Sequence, residues 1–260
     1  MHTKKSLGQH FLNSPQIISD IVKASMIDKD EIVIEIGPGE GVLTKALLES
    51  GAKVIAIEKD DRLIPELHKS FMKEIALKQL QIVHADILDV EIPHIAEGPY
   101  KIVANIPYYI TGQIIRMFLE SDHQPRSMTL LVQKEVAERI VAKDKKESLL
   151  SLSVKAFGDP IYVRTVGRGA FSPQPNVDSA VLYIEKISKK RLQNVREAVF
   201  FQVIHAGFAH KRKQLLPNLT LIYKKDKLLK AFDILNLDPK ARAEDISLET
   251  WIKFCKTIVI

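Results

Sequence analysis

A single cysteine, Cys255, in 260 residues excludes an internal disulfide and a cysteine zinc cluster. It reads as a small helix-packing residue. No apolar run approaches the roughly 20 residues a membrane-spanning helix needs. Lys4 and Lys5 have no hydrophobic stretch behind them, so a secretory signal is not expected. Internal repeats and low-complexity tracts are also missing. These absences point to a soluble protein of a reducing cytoplasm. What is present is ordinary in bulk: 46% hydrophobic and 27% charged residues, in a chain long enough for one large domain or two unequal ones.

Charge is unevenly placed. Residues 188–260 hold 15 Lys and Arg against 7 Asp and Glu, a net of +8. Residues 1–187 hold 23 against 25, a net of −2. Solvated helices often carry surface lysines without further purpose. The clusters Lys189-Lys190-Arg191, Lys211-Arg212-Lys213 and Lys224-Lys225 nevertheless suit sequence-independent phosphate binding.

Chemistry concentrates near the N-terminus. Glu31-Ile32-Val33-Ile34-Glu35-Ile36 has a buried-strand pattern, and Gly37-Pro38-Gly39-Glu40-Gly41 follows at once. Val42 to Leu48 then has helical spacing. Strand, glycine turn and helix in that order mark a nucleotide-type ligand, because glycines admit close backbone approach. The next strand, Lys53 to Ile57, runs into Glu58, a carboxylate able to accept from both hydroxyls of an adenosine ribose. An NAD fingerprint would need glycine at 42, where Val42 stands, so a ligand without a pyrophosphate fits better. A third strand, Leu80 to His84, is followed by Asp86, placed to meet an adenine amino group. S-adenosylmethionine satisfies all three features.

Asn105-Ile106-Pro107-Tyr108 closes a fourth apolar strand, Tyr100 to Ala104. Proline forces Ile106 towards extended backbone, which can aim its carbonyl away from the strand end. The Asn105 side-chain oxygen is a second acceptor, and Tyr108 offers a flat face. Two acceptors converging on an exocyclic amine beneath a ring would hold adenine N6 for attack on an electrophile. A strand end with a turn proline is the plainer alternative. No acid, histidine or metal cluster is spaced to abstract a proton there.

Strands alternating with helical patterns through residue 134 predict an α/β fold, a doubly wound parallel sheet with a Rossmann-like plan. Ser14-Pro15 opens the first helix. Ile161 to Val166 and Ala180 to Ile184 read as two later strands. Between them Phe171-Ser172-Pro173-Gln174-Pro175 is too proline-rich for regular structure and stiff enough to fix an aromatic ring. From about Ile187 only helices are expected, over Leu192 to Phe208, Asp226 to Leu235 and Leu248 to Ile258. The predicted division is a catalytic domain over 1–187 and a small basic helical domain over 188–260.

In order and spacing these segments resemble the ribosomal RNA adenine N6,N6-dimethyltransferase family, and within it the small-subunit (KsgA/RsmA) branch. Gln9-His10-Phe11-Leu12 resembles the family's N-terminal cofactor motif, Glu35 to Gly41 its glycine loop, and Asn105 to Tyr108 its target-amine motif. Gln133 to Ile140, Phe171 to Val181 and Arg242 to Leu248 resemble further family segments. The resemblance implies a cofactor site for S-adenosyl-L-methionine built from His10, Leu12, Gly37, Gly39, Glu58, Asp86 and Asn105. It implies catalytic roles for Asn105, Ile106, Pro107 and Tyr108, with Phe171 as a second stacking surface for the target adenine. It also implies the substrate: two adjacent adenosines in the 3′-terminal hairpin of small-subunit (16S) ribosomal RNA, within the 30S particle or its precursor. Lys211, Arg212 and Lys213 are then RNA-binding residues of a cytoplasmic monomer with a role in small-subunit biogenesis. Family-like sequence starting by Gln9 leaves no room for a transit peptide. Two departures stand out. His10 replaces the asparagine of many members, and no Tyr-Gly pair precedes Leu152-Ser153-Val154. Three rivals remain: an Erm-like enzyme acting on large-subunit RNA, a ribosome-assembly factor with secondary catalysis, and a DNA adenine methyltransferase.

Overall fold

The structure, a computed structural model, describes residues 10–210 and 212–259. Among the described residues nine strands form in chain order: β1 (Phe11–Leu12), β2 (Ile32–Ile36), β3 (Lys53–Glu58), β4 (Leu80–His84), β5 (Tyr100–Asn105), β6 (Met128–Gln133), β7 (Asp159–Val166), β8 (Phe171–Ser172) and β9 (Ser179–Glu185). The helices are α1 (Pro15–Ala24), α2 (Val42–Glu49), α3 (Ile64–Ser70), α4 (Met72–Ala76), α5 (Thr111–Glu120), α6 (Lys134–Val141), α7 (Leu149–Lys155), α8 (Glu197–Gly207), α9 (Leu215–Leu219), α10 (Lys225–Ile234) and α11 (Leu248–Val259).

Seven strands make one sheet in the order β4-β3-β2-β5-β6-β9-β7. β2 lies between β3 and β5 and is parallel to both, so the strand order reverses there. A crevice opens outside the carboxyl ends of strands at such a reversal. Ile and Val fill β2 and β3 because both faces are covered. Val33, Val54 and Ala56 meet Ile17, Ile18 and Ile21 of α1 and Leu43 and Leu47 of α2 in one apolar cluster. Ser14 precedes α1 in extended conformation, but its side chain makes no capping bond; Pro15 supplies the start instead.

Two expectations need correction. The sheet is mixed rather than all parallel, since β9 runs antiparallel to β6, from Met128↔Ile184 to Gln133↔Ser179. The stretch from Phe171 is not wholly irregular either. Its first two residues, as β8, pair antiparallel with β1 through Phe11↔Ser172 and Leu12↔Phe171. Neither pairing is visible locally, because a two-residue strand exists only through its distant partner.

The described residues form two compact units, 10–137 with 160–187 and 138–159 with 188–259. The expected break after Ile187 falls at one junction. The segment 138–159, expected in the catalytic domain, groups with the C-terminal helices instead. Its reasons are specific: the Phe157 ring stacks on Phe201 at 6.0 Å, Ser188 N donates to Phe157 O at 2.8 Å, and Arg191 Nη2 bonds Asp159 Oδ1 at 2.5 Å. This second unit closes around Trp251, fully buried, whose ring lies where a side chain on Gly207 would sit.

Candidate active site

The ends of β2, β3, β4 and β5 meet at one cavity. The turn leaving β2 carries Gly37, Gly39 and Gly41, all with positive φ. Space as well as conformation demands glycine at two of them. A Cβ on Gly39 would stand 3.0 Å from the Phe11 ring, and one on Gly41 would stand 2.5 Å from Phe71. The turn thus packs its outer side on two aromatic rings, and its backbone lines the cavity.

Glu58, at the end of β3, is 6% exposed. Its Oε2 accepts from Gly39 N at 3.2 Å and its Oε1 from Asp60 N at 2.8 Å. Burial pushes its acidity weaker than usual, opposed by those two backbone donors. Each oxygen keeps a further lone pair for a ligand hydroxyl. Asp86, beyond β4, accepts from Lys59 Nζ at 2.5 Å and from Leu88 N at 3.1 Å. The Lys59 ammonium holds its carboxyl below the usual range. Lys59, which lines the same cavity, has no local sequence signal beyond its place beside Glu58.

Glu35 is the least expected feature. It is 1% exposed, within β2. Its Oε2 accepts from Thr44 Oγ1 at 2.6 Å, while Oε1 has no partner among the described residues. Burial pushes its pKa up to about 8; the Thr44 bond opposes this and Glu58 adds to it. A buried carboxyl with one unpaired oxygen at the cavity, beside Glu58, suits a polar ligand such as S-adenosylmethionine. A proton remains on folded Glu35 up to about pH 8, against an ordinary 4.5. The folded state therefore holds an extra proton between these limits. Its stabilising effect is complete below the lower one and is lost as pH rises towards the upper. Glu35→Gln should flatten the fall in melting temperature across this window in the ligand-free protein. Identical pH profiles for the two proteins would show that Glu35 is not the titrating group.

Asn105 ends β5. Its Nδ2 donates to the His10 carbonyl at 3.0 Å, which orients the amide and leaves Oδ1 as its acceptor. Ile106 is 1% exposed and lines the cavity. Pro107 is extended (φ −56, ψ 132) and starts the single turn Tyr108–Ile110. The Tyr108 hydroxyl and Ser179 Oγ share a hydrogen bond at 2.6 Å, and the ring is half-buried at the cavity.

The cavity lining includes His10, Leu12, Gly37, Gly39, Glu58, Asp86, Asn105, Ile106, Pro107 and Tyr108, nearly all the expected set. Phe171 is the exception. Its ring is 2% exposed, packed in the apolar cluster with Leu12 and Val166, and it does not line the cavity. Pairing of β8 with β1 turns it inward. Of the basic cluster, Arg212 and Lys213 are exposed in the second unit, and Lys211 lies outside the described residues. No helix is long and apolar enough to cross a membrane among the described residues.

The family model for ribosomal RNA adenine dimethylase matches residues 1–259. The chain belongs to that family. Proteins named ribosomal RNA small subunit methyltransferase A are similar over nearly the whole chain. The one from Dehalococcoides mccartyi is 42% identical, covering 98% of this chain and 88% of its own. The one from Clostridium acetobutylicum is 40% identical (98% and 93%), and that from Fusobacterium nucleatum 38% (97% and 96%). Two solved structures share the fold of this dimethylase. A dimethyladenosine transferase from Plasmodium falciparum has a TM-score of 0.82 at 26% identity, covering 94% of this chain and 96% of its own. The 23S rRNA methyltransferase ErmE has 0.80 at 25%, covering 96% and 100%.

Proposed function

We propose that this dimethylase adds two methyl groups to N6 of each of two adjacent adenosines in the 3′-terminal hairpin of small-subunit ribosomal RNA. S-adenosylmethionine, when bound, supplies an electrophilic methyl. The observation that carries the reading is the Asn105 amide, fixed through Nδ2 to the His10 carbonyl and lining one cavity with Tyr108, Glu58 and Asp86. Adenine N6 is a poor nucleophile because its lone pair is delocalised into the ring. Asn105 Oδ1 and the Ile106 carbonyl, accepting its two hydrogens, would localise that pair towards the electrophile. Positioning is then the main source of acceleration. Positive charge gathers on nitrogen during transfer, and carbonyl dipoles with the Tyr108 π-face can stabilise it without a strong base. The surplus proton leaves to water. A target base must be unstacked to enter, which costs least in a hairpin loop.

Identities near 40% to small-subunit relatives, against 25% to ErmE, favour small-subunit RNA as the substrate. We place the work in the cytoplasm, on the 30S particle or its precursor, by a monomer whose residues 188–260 hold RNA while 1–187 carry the chemistry. The net of +8 in the C-terminal part supports that division. The decisive experiment is mass spectrometry of small-subunit RNA from unmodified particles after incubation with protein and cofactor. Two dimethyladenosines near the 3′ end are expected; methylation of large-subunit RNA alone, or of duplex DNA, would overturn the reading.

Neutralising Lys211, Arg212 and Lys213 together should flatten the salt dependence of RNA binding. The slope should fall by about one unit for each phosphate that is no longer neutralised, because fewer counterions are released. Cofactor affinity should not change. An unaltered slope would put the phosphate-binding residues elsewhere, with Lys4, Lys5 and Lys134 the next to test.

A further inference from the structure

We propose that Glu35 is a proton-coupled counter-charge for the cofactor: its side chain is neutral in the free protein, and S-adenosylmethionine binds by exchanging the carboxyl proton for the cofactor's own positive charge. The inference rests on the cavity being the cofactor site. Methyl transfer to adenine makes no use of this acid, yet it is the most deeply buried of the acids at the cavity.

A carboxylate taken out of water needs a cation, or it keeps its proton. Glu35 lies within β2 between Ala56 of β3 and Val103 of β5, so the sheet gives it no charged neighbour at its own level. From α2, Thr44 donates one hydroxyl bond at 2.6 Å, while the Lys45 ammonium pairs with Glu49 in solvent. The cavity supplies more acid than base. Glu58 is a second buried carboxyl, and Glu40 an exposed one. Lys59, the one Lys or Arg in the lining among the described residues, is held by Asp86 at 2.5 Å. His10 Nδ1 lies 2.8 Å from the Pro173 carbonyl oxygen, the Tyr108 hydroxyl is bonded to Ser179, and Tyr109 is exposed. Each basic side chain of the lining is thus engaged elsewhere.

Glu35 Oε1 is buried without a partner among the described residues. Burial, aided by the neighbouring Glu58 carboxyl, keeps the proton on up to about pH 8. S-adenosylmethionine brings a sulfonium and an ammonium. A positive charge within a few ångströms favours the ionised carboxyl. The proton leaves to solvent, and the complex holds a carboxylate and a cation where the free protein held a neutral acid. Binding therefore tightens as pH rises towards 8.

The test is calorimetric titration of the full chain with S-adenosylmethionine from about pH 6 to about pH 7.5, in buffers of high and low ionisation enthalpy. Wild type should release about one proton per site near pH 7 and bind about tenfold more tightly per pH unit. Glu35→Gln, which keeps the shape of the neutral acid, should release none. The affinity gap between the two proteins should widen by about tenfold per pH unit, whereas a merely structural role for Glu35 gives a constant gap. The cofactor's α-amino group, ordinarily titrating near about 7.7–8.0, acts alike on both proteins, so their difference isolates Glu35. Wild-type affinity that ignores pH, with no proton released, would overturn the inference. So would release that survives in Glu35→Gln, which would pass the role to Glu58. The wild-type proton count needs no variant, so it decides the matter even if Glu35→Gln does not fold. Wild-type protein that binds no S-adenosylmethionine would overturn the cofactor reading of the cavity instead, so the two failures are separable.

Discussion

Asn105→Ala should bring methyl transfer close to zero while the protein stays folded. The substitution removes the side-chain acceptor for N6 and, with it, the donor that holds the His10 carbonyl at 3.0 Å. Both the amine and the His10 backbone, just before β1, lose their reference point. Tyr108 separates this chemistry from mere packing. Tyr108→Ala removes the stacking face, worth roughly 1–3 kcal/mol per base, and should slow turnover by about one to two powers of ten. Tyr108→Phe keeps the ring but leaves the buried Ser179 hydroxyl without its 2.6 Å partner. A cost of about 1 kcal/mol in stability is expected, with a much smaller effect on rate. If the turn only packed the strand end, Tyr108→Ala would lower the melting temperature and activity per folded molecule would survive. Single-turnover rates measured beside melting curves distinguish these outcomes. Full activity in folded Asn105→Ala protein would sink the amine clamp.

Glu58→Ala should weaken S-adenosylmethionine binding by about 2 kcal/mol or more, roughly thirtyfold in Kd, through removal of a charge-assisted interaction made by both carboxylate oxygens. The structure adds a second consequence. Glu58 also accepts from Gly39 N and Asp60 N, so alanine leaves two backbone donors at the glycine turn without their acceptor. Relief from ionising a carboxyl whose pKa burial has raised offsets part of that loss. Glu58→Gln is the sharper probe. It preserves shape and one acceptor, and should weaken the cofactor with less damage to the turn. Calorimetric titration checks both variants, and unchanged affinity in either would remove Glu58 from the site.

Much of the site is legible in the sequence because its residues sit at strand ends. An apolar strand declares itself locally, and whatever follows its last apolar residue must emerge at the sheet's edge. Glu58, Asp86 and Asn105 each follow such a run, and the parallel order of their strands then brings them to one crevice. Glu35 stands within its strand, so its position shows that it is buried; the depth of its desolvation and its bond to Thr44 follow from packing. The inward turn of Phe171 is hidden for a related reason. A proline-rich stretch has no internal pattern to say which way a ring points.

The amino-acid sequence by itself determined the order of strands and helices, the glycine turn, the acids of the cavity, the Asn-Ile-Pro-Tyr segment and the basic C-terminal part. These are properties of neighbouring residues, written in local spacing and local charge. Only the tertiary structure decided that β9 enters the sheet antiparallel beside β6, that residues 138–159 join the helical unit, and that the His10 ring stacks on Tyr108. Each of these depends on partners far apart in the chain: β6 with β9, Phe157 with Phe201, His10 with Tyr108. Such pairings form only where the packed core leaves room, so no stretch of the sequence records them alone.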